Sequence, residues 1–135
     1  MDVAAGTPLP PWSHGPVDPE KMKIFAAIAR DPNPIHWDRA AVAERGLGDR
    51  LINQGPTNLG YLVNMLLAWT GPESLRDLRV RFTSNVFDGD MVVAAGVVTA
   101  VRETDGERLA DCEVWLDRGD GTRAISGTAT VALPA

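Results

Sequence analysis

The chain has one cysteine, Cys112, among its 135 residues. A lone cysteine excludes an internal disulfide and any zinc site built on thiolates, and it suits a reducing compartment. Basic charge is also short, since 13 Lys and Arg against 18 Asp and Glu leave a net charge of −5. A nucleic-acid binder needs a basic face to neutralise phosphates, so no nucleic-acid partner is expected, although a local basic pocket is compatible with this balance. Long apolar runs are missing as well. The longest, near Leu62 to Trp69, is interrupted by Asn64 and is far too short to span a bilayer. Met1 to Pro19 has neither the basic start nor the apolar core of a signal peptide. There are no internal repeats and no low-complexity tracts. The expectation is a cytoplasmic protein with no membrane segment.

What remains is an ordinary globular composition, 44% hydrophobic and 23% charged. A chain of this length makes one domain, 1–135, able to bury roughly 70% of its unfolded surface. Residues 1–17, rich in Pro and Gly, read as an extended arm packed on the domain through Leu9 and Trp12. His14 lies in this arm with no partner group near it in sequence and reads as solvated.

Asp18-Pro19-Glu20 starts a helix: a capping acid, proline at the first helical position and an acid in the first turn. Met22, Phe25, Ile28 and Ala29 recur at helical spacing, so the helix runs to about Ala29 and delivers Asp31 just past its end. Asp38 caps a second short helix, RAAVAER, which Gly46 stops. Residues 46–54 read as a loop with a short extended piece. A longer helix spans about Pro56 to Trp69. It has little polar face and is therefore expected to be central and buried. Gly60 within it costs about 1 kcal/mol relative to Ala, which suggests that another backbone or a ligand approaches closely there.

From Leu75 the pattern changes to strands. Leu78, Val80 and Phe82 alternate with polar residues. Asp88-Gly89-Asp90 turns the chain. Met91 to Val101 is long enough for a bent strand, with Gly96 as a candidate kink. Asp105-Gly106 is a hairpin signal. Leu109 to Leu116 forms the next strand, with Cys112, Val114 and Leu116 on one face, and Ile125 to Leu133 the last. Helices followed by four antiparallel strands argue for an α+β fold, in which a curved sheet wraps the apolar helix.

The stretch that stands out is RDPNPIHWD, Arg30 to Asp38. It sets Asp31 and His36 five positions apart with two prolines between them. Pro34 lacks an N–H, and each proline pushes the preceding residue toward extended backbone, so this is an ordered loop rather than a helix face. Either residue alone has a plain structural reading: Asp31 as a turn residue after a helix, His36 as a satisfied histidine. Together, in a stiffened loop before a Gly-Pro helix start, they make a candidate catalytic pair. Arg79 and Arg81 share a strand face that either is solvated or meets phosphates, and Arg39, Arg45 and Arg50 are open in the same way. Cys112 reads as core. Asn58, Tyr61 and Asn64 either line a pocket or satisfy buried partners.

Three segments carry a resemblance to the MaoC-like (R)-specific enoyl-CoA hydratases, which have the hotdog fold. FAAIARDPNPIHWD resembles the family's hydratase signature, GPTNLGYL its glycine-led helix start, and VRFTSNVFDGDMV its strand pair joined by a Gly-Asp turn. The similarity spans roughly residues 20–133. Within the family, VAERG, LIN and AWTGP look closest to small single-hotdog subunits that work in sterol side-chain breakdown, sometimes paired with a second MaoC-like chain. Gln54-Gly55 departs from the His-Gly pair of many members, and Pro56 stands where a hydrophobic residue is common.

The resemblance implies an antiparallel sheet wrapped round a long central helix, and reversible addition of water to a trans-2-enoyl thioester. It implies that Asp31 and His36 grip a single water. His36 can serve as base, as an imidazole does; which of the two holds the proton at each step stays open. The N–H groups of Gly55 and Thr57, backed by the helix dipole, form the expected oxyanion site. Asn33 braces the loop, and with Thr57, Asn58 and Tyr61 completes the expected substrate-binding set. No metal and no separate cofactor are expected, since coenzyme A is part of the substrate. Acyl carrier protein is an alternative carrier. A homodimer, or a heteromer with a related hotdog chain, is the expected assembly. Two rivals stand beside this reading: a hotdog thioesterase, which would place an acid on the long helix, and a non-catalytic acyl-thioester-binding subunit.

Overall fold

The computed structural model describes residues 1–135. Helix α1, Pro19–Ala29, begins where Asp18 accepts the Glu20 N–H at 2.9 Å. It ends at Arg30, which takes a left-handed conformation (φ 51°) and returns its N–H to Ala26 and Ala27 carbonyls. The Asp31 N–H then also reaches the Ala26 carbonyl, at 3.0 Å. A single 3₁₀ turn, Pro34–His36, follows, capped by the Asn33 side chain. Asp38 caps the short helix α2, Arg39–Glu44.

The central helix α3, Gly55–Thr70, starts with Pro56 in its first turn, where a missing N–H costs nothing. Leu62, Met65 and Leu66 are fully buried along it. They share one core cluster with Val92, Ala94, Val98, Val114, Leu116, Ile125 and Val131 of the sheet. Each such side chain contributes about 1.5–3 kcal/mol through burial, and truncating one to Ala costs about 2–5 kcal/mol because a cavity remains.

Five antiparallel strands form one sheet, rather than the four read from the sequence. They are β1 (Trp12–His14), β2 (Leu75–Phe82), β3 (Val92–Thr104), β4 (Glu107–Arg118) and β5 (Arg123–Ala132). Their order in the sheet is β1-β3-β4-β5-β2. The additional strand comes from the N-terminal arm: Trp12 pairs with Ala94 and His14 with Val92. Leu9 donates its N–H to the Gly96 carbonyl at 2.9 Å and is buried, so the arm is bonded to the sheet as well as packed on it. Three residues are too few to show a period-two pattern, which is why this strand is silent in the sequence.

The β3–β4 hairpin turns on Asp105 (φ 53°) and Gly106 (φ 79°), both left-handed as a two-residue turn of this type requires. Gly96 is not the kink in β3. The register shift falls between Val98 and Ala100, while a Cβ at Gly96 would sit 2.6 Å from the Glu113 carbonyl oxygen. Glycine there permits close approach of a neighbouring strand. Gly60, by contrast, has open space where its Cβ would be, so nothing approaches it closely. No helix is long and apolar enough to cross a membrane.

Candidate active site

Asp31 and His36 converge. Asp31 Oδ2 lies 3.3 Å from His36 Nε2. The carboxylate is held by its other oxygen, Oδ1, which accepts the Asn33 N–H at 3.0 Å. His36 is 7% exposed, and its Nδ1 lies 2.6 Å from the Ile52 carbonyl oxygen. A carbonyl can only accept, so Nδ1 carries the hydrogen. In the neutral imidazole that leaves Nε2 as a lone pair facing a carboxylate oxygen. Two acceptors at this distance need a hydrogen between them: either a shared proton, or a water that donates to both.

The imidazole is anchored from far along the chain. Residues 51–53 run as a strap: the Ile52 N–H donates to the Ile35 carbonyl at 3.0 Å and the Asn53 N–H to Val86 at 2.7 Å. Asp88 clamps the same strap, accepting the Leu51 N–H at 2.8 Å and Arg39 at 2.9 Å. The two prolines stiffen the loop, and the strap sets the direction of the ring. Sequence reasoning missed the Ile52 carbonyl and read Asp88 only as part of a turn, because no local pattern marks the partner of either.

Gly55 opens α3, and its N–H donates to no backbone acceptor. That is the ordinary state of a first-turn donor and leaves it available to an anion, with the helix dipole behind it. A Cβ at Gly55 would meet the Phe82 ring at 3.6 Å, an ordinary contact. Preceding it, Gln54 is buried and donates Nε2 to the Met22 carbonyl at 2.8 Å, tying α3 to α1. Its Oε1 has no partner in the protein.

The other expected residues separate into different roles. Asn33 caps the 3₁₀ turn and accepts Arg45 at 2.7 Å, so it braces the loop. Asn58 is buried, and with Tyr61 it accepts from Asn53 Nδ2, at 2.8 and 3.0 Å. Burial pushes the Tyr61 phenol up, against the opposing pull of its hydrogen bond to Asn53, so it stays a protonated donor. Thr57 and Tyr61 line a cavity of about 330 Å³ between α1 and α3, whose lining includes neither Asp31 nor His36. Asn64 is exposed. Arg39 and Arg50 are engaged with Asp88 and Asp90, and Arg79 with Asp77. Cys112 is buried in the core, and its thiol is pushed up to about 11, chiefly by burial and then by the Asp111 charge. His14 is half-buried, and its ring is stacked on Tyr61 at 4.9 Å and Trp12 at 5.7 Å.

A family model described as the MaoC-like domain matches residues 3–115. The chain belongs to the MaoC-like family. The (R)-hydratase from A. caviae involved in PHA biosynthesis superposes on this MaoC-like chain with a TM-score of 0.83 at 28% identity, covering 99% of each chain. A chain of the ChsH1–ChsH2 complex from Mycobacterium tuberculosis gives a TM-score of 0.81 at 23% identity, covering 99% of this chain and 100% of that one. The R-hydratase PhaJ1 from Pseudomonas aeruginosa gives 0.79 at 20%, covering 99% and 83%. The last two likenesses speak to the fold, which is the hotdog fold of these neighbours: a five-stranded antiparallel sheet around a central helix. No curated protein matches the chain by sequence.

Proposed function

We propose that this MaoC-like protein is an (R)-specific enoyl-CoA hydratase or, in the opposite direction, a 3-hydroxyacyl-thioester dehydratase. The observation that carries the reading is the 3.3 Å approach of Asp31 Oδ2 to His36 Nε2, with the Nδ1 hydrogen committed to the Ile52 carbonyl. A water donating one hydrogen to each acceptor keeps its oxygen lone pairs free for C3 of a trans-2-enoyl thioester. As the C3–O bond forms, His36 Nε2 takes the water's proton and the double-bond electrons move onto the thioester oxygen. Asp31 orients the water and balances the imidazolium charge. The Gly55 N–H, with the N-terminal end of α3 behind it, stabilises the enolate oxygen, and a well-placed donor of this kind is worth about 3 kcal/mol. Transfer of the proton from the pair to C2 completes the addition, so both parts of the water end in the product.

The likeness to the A. caviae (R)-hydratase supports the same reaction class. Coenzyme A enters as part of the substrate, with acyl carrier protein as the alternative carrier. The thioesterase reading is weaker because α3 carries no acidic residue. For assembly we favour a pair of hotdog chains, identical or related. The outer edge of β2 is unpaired in the sheet, its Phe82 is 52% exposed beside Gly55, and a similar chain belongs to a two-protein complex.

The test is the fall in enoyl-thioester absorbance when protein is added, compared with Asp31→Asn and His36→Ala. Unchanged rates in both variants would remove the pair from the mechanism. Release of free thiol from acyl-CoA, without loss of the enoyl group, would move the protein to the thioesterases.

A further inference from the structure

Asp31 borders an open trough of about 520 Å³ whose other walls are Lys23, Ala26 and Ala27 of α1 and the side chain of Trp37. The remaining cavities of the surface are lined by neither Asp31 nor His36. The His36 side chain is 9% exposed and that of Asp31 34%, so the pair opens to solvent on the Asp31 side, where the trough is. Lys23, Ala26 and Ala27 are spaced by three and four residues, which puts them on one face of α1. The two alanines offer only methyl groups to that wall and leave room beside the reactive acid.

Trp37 has no structural employment that accounts for it. Its side chain lies outside the core cluster and is well exposed. It stacks on no other aromatic ring, and no guanidinium covers it. Single exposed apolar side chains are ordinary, and Ile24 and Ile28 are two more. What sets Trp37 apart is its place, in one wall with the reactive acid and next in sequence to the base. Its backbone is fixed as well. The Trp37 N–H donates to the Pro34 carbonyl at 3.1 Å, closing the 3₁₀ turn that carries His36. The turn that positions the imidazole therefore also positions the indole. An indole gives a large, flat contact at a small cost in side-chain freedom, and a conjugated enoyl thioester is itself flat.

We infer that Trp37 is a substrate-binding residue, whose ring packs on the acyl thioester in this trough and holds it beside Asp31. The inference rests on the hydratase reading for its substrate, but binding can be measured without turnover. The probe is butanoyl-CoA, which has no double bond to hydrate, titrated by calorimetry into the unmodified protein and its variants. Crotonyl-CoA hydration is measured on the same preparations. Trp37→Ala should weaken butanoyl-CoA binding about tenfold and raise KM for crotonyl-CoA by a similar factor, with kcat changed less than about threefold. Trp37→Phe, which keeps a flat ring, should recover most of the loss. Ala27→Leu narrows the trough from α1 at an exposed position where leucine is a good helix former, and it too should weaken binding. Binding and KM that survive Trp37→Ala would overturn the inference and leave the hydratase standing. A loss that tracks a change of oligomeric state in gel filtration would also overturn it, since the ring would then serve a subunit contact. Should Trp37→Ala fail to fold, Ala27→Leu decides in its place. Binding that depends on Trp37 in a protein that hydrates nothing would reject the hydratase and keep the binding role. An unmodified protein that neither binds butanoyl-CoA nor hydrates crotonyl-CoA would overturn both.

Discussion

Two sets of carboxylates lie within a few elements of each other and are provided for in opposite ways. Asp88 and Asp90, in the turn before β3, each take one arginine and one backbone N–H. Asp88 Oδ2 takes the Leu51 N–H and Arg39, while Asp90 takes Arg50 on Oδ1 and the Phe87 N–H on Oδ2. Each charge is matched by an arginine and tied into the fold by a backbone N–H. Asp31 receives one backbone N–H on Oδ1, and its Oδ2 faces a ring nitrogen whose partner nitrogen already holds the hydrogen. The first arrangement is what a fold needs from an acid, and the second is what a reaction needs. The contrast singles out Asp31 as the acid that suits the proposed reaction, without reference to any motif.

Substitutions should pull the two sets apart. His36→Ala and Asp31→Asn are expected to lower kcat for enoyl-thioester hydration by about 10²–10⁴-fold, the usual contribution of a placed acid or base. Thermal melting should be little changed in Asp31→Asn, because Asp31 contributes a single loop hydrogen bond, whereas His36→Ala should also melt lower because it empties a buried position and leaves the Ile52 carbonyl without its donor. A variant that melts normally and turns over normally would break the comparison at its active end.

Gly55→Pro comes next in size. The preceding residue, Gln54, already holds φ −66° and ψ 140°, the extended backbone that a following proline demands, and the first helical position tolerates proline. The substitution thus deletes one N–H with little change elsewhere. We expect kcat to fall about 10²–10³-fold. The melting temperature should hold, and Gly55→Ala, which keeps the N–H and adds only an ordinary contact with Phe82, should fall much less.

Asp88→Asn should show the reverse pattern. Weakening a charge-assisted clamp on Leu51 and Arg39 costs about 2 kcal/mol, or roughly 5–10 °C in melting temperature for a domain of this size. Assayed well below that temperature, hydration should stay within about tenfold of the parent, since the strap still holds the Ile52 carbonyl against His36. If Asp88→Asn silences the enzyme while leaving its stability intact, the division between structural and reactive acids is wrong.

The nearness of Asp31 and His36 is legible in the sequence, whereas Asp88 and Asp90 are legible there only as a turn and not by the partners they hold. Asp31 and His36 sit within six consecutive residues punctuated by two prolines, so their geometry is mostly local. So is the Asp18-Pro19 helix start and the Asp105-Gly106 hairpin. The Ile52 carbonyl that fixes the imidazole lies sixteen residues beyond it, and the Asp88 clamp on Leu51 spans thirty-seven. Such pairings are made by packing, and nothing in either partner's neighbours encodes them. The glycines show the same limit. Gly96 carries a strand-to-strand contact that only the β3–β4 register reveals, and Gly60, which looked like a close approach, faces open space. His14 looked solvated because its stacking partner Tyr61 lies 47 positions away.

The smallest expected effect tests the structural acids through pH. The Arg102 hydrogen bond, followed by that of Thr130, holds the Asp111 carboxyl below its usual range. A carboxyl whose pKa is lower in the folded chain than in the unfolded one adds stability above its unfolded value, near 4, and loses it as pH falls through its folded value. Asp111→Asn should therefore melt a few degrees lower than the parent at pH 7, and the gap should close by about pH 3. Asp111 ties β4 to Arg102 of β3 and Thr130 of β5 and touches neither Asp31 nor His36, so hydration at neutral pH should be unaltered. A gap that persists undiminished into acid would mean that the side chain acts through packing and not charge. Asp111 would then no longer belong with Asp88 and Asp90 as an acid held by its donors.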